Sequence, residues 1–171
     1  MRWRKAQPQA TSSKPRSSAG GFSLIELLIV VAIILIIAAI AIPNLLRSRM
    51  AANEAATTQN MRTIITAEAA YSTLYGIGFS ATLADLGTAG GPPTAAAADL
   101  IENDLAAGIK SGYTVTYVSA PPSGGIIYDY KINADPNVVG ATGQRHFYTD
   151  QTGVIRFDPN AVATAASQPI G

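Results

Sequence analysis

The sequence predicts an α+β protein: one long N-terminal helix packed on a small antiparallel β-meander. Three observations lead there. From Leu27 to Ile42 every side chain is apolar, and no charge follows Glu26 until Arg47. No glycine occurs between Phe22 and Tyr75, and the residues beyond the apolar run are mostly good helix formers. After Gly76 the pattern changes to short β-rich runs separated by Gly, Pro, Asn and Asp clusters.

Residues 1–20 hold Pro8, Pro15, four serines and the cations Arg2, Arg4, Lys5, Lys14 and Arg16. This composition reads as a solvated, disordered leader. Phe22–Leu46 is long enough to span a bilayer, for which about 20 apolar residues suffice, and in lipid such a segment must be helical. The helix is expected over Ser23–Tyr75, with Gly76 and Gly78 as its stop. Its first half is hydrophobic all round, which suits lipid or the core of a helical assembly. Its second half carries Met61, Ile65 and Ala69 at i+4 spacing, with Glu68 near the same face. Pro43 lacks a backbone donor and clashes with the carbonyl of Ala39, so a kink or local loosening is expected there.

Beyond the helix, Thr88–Pro93 reads as a loop. Thr94 could cap a short helix over Ala95–Ala107 that stops at Gly108. Strands are expected at Tyr113–Val118, Ile126–Ile132, Arg145–Thr149 and Val154–Phe157, joined by Pro121–Gly125, a loop containing Asp135-Pro136-Asn137, and the hairpin Asp150–Gly153. One sheet face should pack on the long helix and the other face outward. The tail from Asp158 reads as irregular.

Composition narrows the function. Charged residues are 13% of the chain, about half the usual share. Cysteine is absent, so disulfides, thiolate metal sites and a cysteine nucleophile are excluded. The net charge of +1 hides an asymmetry. Residues 1–21 hold five cations and no acid; the remainder holds seven Lys/Arg against eleven Asp/Glu, a balance of −4. The basic leader orients the apolar run with its N-terminus in the cytoplasm. No basic stripe follows, so nucleic-acid binding is not supported.

Glu26 is the anomaly. A carboxylate inside an apolar membrane segment is unfavourable and calls for a named partner. The plain alternatives are a side chain reaching back to the headgroups, a cleaved signal peptide with Ala39-Ile40-Ala41 as a small-x-small site, or an uncleaved anchor. Against a signal peptide stand the length of the run, Glu26 itself, and Pro43 two residues after the supposed cut.

Gly21-Phe22-Ser23-Leu24-Ile25-Glu26, preceded by cations and followed by the apolar run, resembles the N-terminal motif of type IV prepilins and type II secretion pseudopilins. The strand segments Gly112–Tyr117 and Arg145–Arg156 also resemble the sheet of many pilins. The resemblance implies the pilin-like fold and a division into leader 1–21, filament-core half 22–46, outer helix half 47–75 and head 76–171. It implies cleavage by a prepilin peptidase between Gly21 and Phe22, with N-methylation of Phe22. Glu26 then becomes the fifth mature residue and Pro43 the twenty-second, as in the family. Phe22 and Glu26, four apart, share a helix face. The carboxylate could neutralise its own chain's new ammonium or accept that of a neighbour; the second is the family's account of assembly. In family filaments the Pro43 region can melt.

The expected function is therefore that of a structural subunit, not an enzyme. It would enter the inner membrane, then polymerise with copies of itself on an assembly platform into an extracellular type IV pilus. The alternatives are a major pseudopilin of a type II secretion system, forming a periplasmic pseudopilus, and a monomeric membrane-anchored binding domain. Two departures stand: the leader is longer than in many type IVa pilins, and the C-terminal disulfide of many pilins cannot form. Pseudopilins often hold calcium in that region instead, which makes Asp135, Asp150 and Asp158 calcium candidates; Asp135 and Asp158 equally suit Asp-Pro-Asn turns. His146 is the only histidine. Nothing in the sequence joins it to Ser123 and Asp150 as a triad, zinc lacks ligands, and no cofactor is expected.

Overall fold

The computed structural model describes residues 21–170; the leader expected over 1–20 lies outside them. The chain divides into two compact units, Met1–Ile40 and Ala41–Gly171. The fold class is α+β, a long N-terminal helix plus an antiparallel sheet.

Helix α1 covers Leu24–Tyr75 and includes Pro43. Ser23 stands just outside as its cap residue: its carbonyl accepts the first helical bond from the N–H of Leu27 at 3.2 Å. The helix stops where Gly76 adopts φ +66°, its N–H still bonded to the carbonyl of Ser72. A left-handed residue there suits glycine because no Cβ opposes it.

In the second unit, α1 buries Glu54, Thr57, Thr58, Met61, Ile64, Ala67, Glu68 and Tyr71. This corrects the expected stripe. Met61 is fully buried, but Ile65 is only half-buried and Ala69 is exposed. A strict i+4 row gains about 40° per step on a helix of 3.6 residues per turn, so it winds off the face. The buried set recurs at spacings of three and four, through the adjacent pairs Thr57-Thr58 and Ala67-Glu68, and so stays on it.

The segment after α1 forms a 3₁₀ turn, Leu83–Leu86, that the sequence reading missed; both leucines are buried. The Asp85 carboxylate accepts the N–H of Thr82 at 2.9 Å and fixes its start. The helix expected over Ala95–Ala107 shrinks to α2, Asn103–Ala106. Thr94 and Ala97 instead exchange backbone bonds across a turn, and the N–H groups of Ala98 and Leu100 go to the carbonyls of Asp85 and Leu86, both at 2.8 Å. With those donors committed, and with Asp99 left-handed at φ 54°, no helix can run through.

The sheet has six strands in sequential antiparallel order, where four were expected. They are β1 (Ile109–Lys110), β2 (Tyr113–Ser119), β3 (Tyr130–Pro136), β4 (His146–Asp150), β5 (Arg156–Asp158) and β6 (Gln168–Pro169). The two extra strands are two-residue edges, too short to carry a hydrophobic alternation. β3 lies later than the expected Ile126–Ile132. Ile127 pairs instead with the post-helix segment, accepting from Phe79 N–H and donating to the Ile77 carbonyl. Pro136 ends β3 opposite Tyr113, a position where a missing N–H is tolerated.

Inward-facing Tyr113, Val115, Ile132, Ala134 and Phe147 join Met61, Ile64, Leu86 and Leu105 in one core. The other face is not wholly open. Tyr148 is buried there, opposite Asn133, whose amide donates to the carbonyl of Ala163 at 2.8 Å. The tail therefore returns to the sheet: Ala163 is 1% exposed and β6 pairs with β5.

Gly108 links α2 to β1 at φ +76°, and a Cβ there would meet the Val115 carbonyl oxygen at 2.7 Å. Gly108→Ala combines a left-handed alanine with a backbone clash. It is expected to cost about 2 kcal/mol or more, read as a lowered denaturant midpoint without a change in slope.

Candidate assembly surface

Among the described residues, the apolar half of α1 is uncovered. Leu24–Leu46 exposes its leucines, isoleucines and valines to between 43 and 80% of their surface. Among the described residues, α1 is the one helix long and apolar enough to cross a membrane. At about 25 cal/mol per Å², so much apolar surface requires lipid or protein around it.

Glu26 sits at the third position of this helix. Its Oε2 accepts the backbone N–H of Ser23 at 2.9 Å. Ser23-x-x-Glu26 is therefore one arm of a capping box, satisfying an N–H that the helix leaves open. Phe22, 80% exposed, is the residue next to that N–H. A bond three residues away holds the carboxylate at the head of the helix.

The outer half of α1 is tied to the head through two buried carboxylates that the sequence reading did not assign. Glu54 Oε1 accepts the N–H groups of Gln144 and Arg145 at 2.8 and 3.1 Å, and Oε2 takes Arg145 Nε at 2.7 Å. The Arg145 guanidinium also lies over the rings of Phe147 and Phe157, at 5.5 and 5.3 Å from their centroids, a favourable cation–π placement. Burial by itself pushes the Glu54 carboxyl up. The N–H of Gln144, then the side chain and N–H of Arg145, more than offset this, and the group lies below its ordinary value.

Glu68, with no exposed surface, accepts Ser80 N–H at 2.9 Å and Ser80 Oγ–H at 2.6 Å. The Tyr117 hydroxyl donates to the Ser80 carbonyl at 2.9 Å, and burial pushes its pKa well up. Glu68 thus fastens the last turns of α1 to the segment that follows, and its place on the buried face is that of a bonded group, not a flaw in a stripe.

The calcium candidates are dispersed among separate tasks. Asp135 pairs with His146 Nδ1 at 2.6 Å, not with an Asp-Pro-Asn turn. Asp150 holds its hairpin by accepting Thr152 N–H at 3.0 Å. Asp158 does start a turn, accepting from Asn160 and Ala161. No group of three His, Cys, Asp or Glu suited to a metal ion occurs among the described residues. Ser123 lies in a turn closed with Ile126.

Comparison with known proteins agrees at the N-terminus. Residues 16–42 match the family model described as the prokaryotic N-terminal methylation motif. Over 41 residues the chain is 61% identical to the type IV wide pilus major component PilA4 of Thermus thermophilus, which covers 24% of this chain. The chain spans about a third of that relative, 31% of its length. The matched segment holds the capped start of the apolar helix, with Ser23 and Glu26 inside the N-terminal methylation motif. More particularly, the motif and the relative make this N-terminal segment similar to that of a type IV pilin.

Proposed function

We propose that the chain is a prepilin whose mature form polymerises into a type IV pilus filament. Residues 1–21 are the leader, 22–46 the membrane and filament-core half of the helix, 47–75 its outer half, and 76–171 the head. A prepilin peptidase cuts between Gly21 and Phe22 and the new amine of Phe22 is methylated. Before assembly the apolar half anchors the subunit in the inner membrane, N-terminus towards the cytoplasm. An assembly platform then transfers it into the filament, where neighbouring helices replace lipid.

The observation that carries this reading is the position of Glu26. Its Oε2 is occupied by Ser23 N–H, and Oε1 accepts no bond among the described residues, so one oxygen is free for a second donor. The amine created at Phe22 lies one residue before Ser23. A neighbour's amine at Oε1 would leave neither charge unpaired in an apolar surround, where a lone charge is costly and a hydrogen-bonded pair far less so. The pair sets register, because a subunit out of step strands both charges. Pro43, which has no N–H for the Ala39 carbonyl, is where the helix would give when a filament is stretched.

Intact-mass measurement of the chain purified from cells tests the reading. The expected mass begins at Phe22 and exceeds the unmodified mature chain by one methyl group. A chain still starting at Met1 overturns it. Sheared surface fibres containing the chain support the pilus. Periplasmic confinement, with loss of enzyme secretion on deletion, assigns it instead to a pseudopilus.

A further inference from the structure

We propose that the loop Asn137–Gln144 seats the head on an anionic phospholipid surface, with Val138 and Val139 in the polar layer and Arg47 and Arg49 on lipid phosphates. The contact rests on the membrane-anchored state proposed above. In the unit that starts at Ala41, α1 opens with the exposed apolar residues Ile42, Leu45 and Leu46 and turns polar at Arg47. Asn53, seven residues past Leu46, donates its Nδ2–H to the carbonyl of Thr142 at 2.7 Å. Seven residues are about 10 Å of helix. The strand that leaves the loop runs away from this end. Gln144 and Arg145 bond to Glu54, and farther along Gly153 lies beside Ile65, where an added Cβ would stand 3.6 Å from Ile65 Cγ2. The loop thus closes the end of the head that faces the apolar residues. The polar layer of a bilayer reaches about 5–7 Å beyond the hydrocarbon on each side, so a loop below Asn53 comes to its surface.

The loop is closed on itself with its valines turned out. Thr142 N–H donates to the Val138 carbonyl at 2.9 Å, and Gly140 N–H to the Gly143 carbonyl at 2.9 Å. Val138 N–H donates to Thr142 Oγ1 at 3.1 Å. Gly143 is buried against the Tyr113 ring, yet Val138 and Val139 keep 56 and 55% of their surface exposed. A loop already held in shape loses little freedom on docking. Charge agrees with the geometry. Asn137–Gln144 carries no charge, and between Glu26 and Glu54 the only charged residues are Arg47 and Arg49. Both are exposed, no acid lies three or four residues from either, and Glu54 is committed to Arg145. An anionic leaflet attracts cations within a Debye length of it, and guanidinium matches phosphate geometry. The bilayer already surrounds the residues just before Arg47, so lipid phosphate is the acid that this position meets first.

The absence of native cysteine lets a single dye be placed at will. Full-length Val139→Cys carrying an environment-sensitive dye is reconstituted in vesicles of phosphatidylcholine and phosphatidylglycerol whose headgroups bear a spin label. Emission at position 139 is expected to shift to the blue and to be quenched by the lipid label. The same dye on Ser123→Cys, beyond the far end of β2, is expected to do neither. Val138→Asp added to the labelled chain should abolish the quenching, and Arg47→Gln with Arg49→Gln should weaken it, as should leaving out phosphatidylglycerol. Quenching indifferent to these changes overturns the contact. So does a blue shift without lipid quenching, which means that protein and not lipid covers the loop, and so does equal quenching at 123 and 139. No quenching at 139 in a chain that floats with the vesicles removes the contact and leaves the anchored state intact. A chain that does not float with them removes the anchored state itself.

Discussion

Glu26→Gln is expected to abolish filaments while leaving membrane insertion and cleavage after Gly21 intact. The amide keeps an oxygen for Ser23 N–H, so the helix cap seen at 2.9 Å survives. What is lost is the negative charge that receives the neighbour's amine. A buried charge left without its partner costs about 3–5 kcal/mol, which at 1.4 kcal/mol per decade corresponds to a fall in assembly of about a hundredfold to a few thousandfold. Glu26→Ala removes the cap as well, a further loss of about 1 kcal/mol at the helix end. Fibre yield from sheared cells, with N-terminal sequencing of the membrane fraction, separates the roles. Loss in both variants, with the alanine variant only slightly worse, assigns assembly to the charge. Normal filaments from the glutamine variant sink the electrostatic account, and loss in the alanine variant alone assigns the effect to the cap.

The second large effect belongs to Glu54. Glu54→Ala leaves two backbone N–H groups, of Gln144 and Arg145, and the Arg145 guanidinium without their acceptor. The expected loss is about 3 kcal/mol of stability. Glu54→Gln retains acceptors and is expected to lose about 1–2 kcal/mol. The pH dependence has a defined sign. The carboxyl is held below its ordinary value of 4.5 in the folded chain. Its contribution is therefore fully present above about pH 4.5 and is lost as pH falls through the lower folded-state value. Thermal unfolding of the detergent-solubilised chain should show a wide gap between wild type and Glu54→Ala at pH 7, narrowing only once the pH falls below the ordinary value of 4.5. A gap of constant width would mean that the charge of Glu54 does not hold the head to the helix.

The local elements were legible where their chemistry is local. The end of α1 at Gly76, the stop at Gly108 and the hairpin Asp150–Gly153 need only the residues within a few positions. The same holds for Ser23-x-x-Glu26, a spacing that announces a capping box and could have been read as one. The failures are non-local. Ala95–Ala107 has a composition that permits helix, but its N–H groups are claimed by carbonyls of Asp85 and Leu86. Ile126 and Ile127 read as a strand start, but Ile127 is taken by Ile77 and Phe79. Glu54 and Arg145 stand 91 residues apart, and no spacing rule connects them.

By itself the sequence determined the α+β class, the uninterrupted apolar helix and the acid at its head. Hydrophobic run length, glycine placement and charge asymmetry act through neighbours along the chain, so they can be read in order. Only the tertiary structure decided which face of the outer helix is buried, that its two carboxylates are turned inward as fasteners, and that the tail closes a six-stranded sheet. Those outcomes depend on which distant donor reaches each acceptor first, and that is settled by packing in three dimensions.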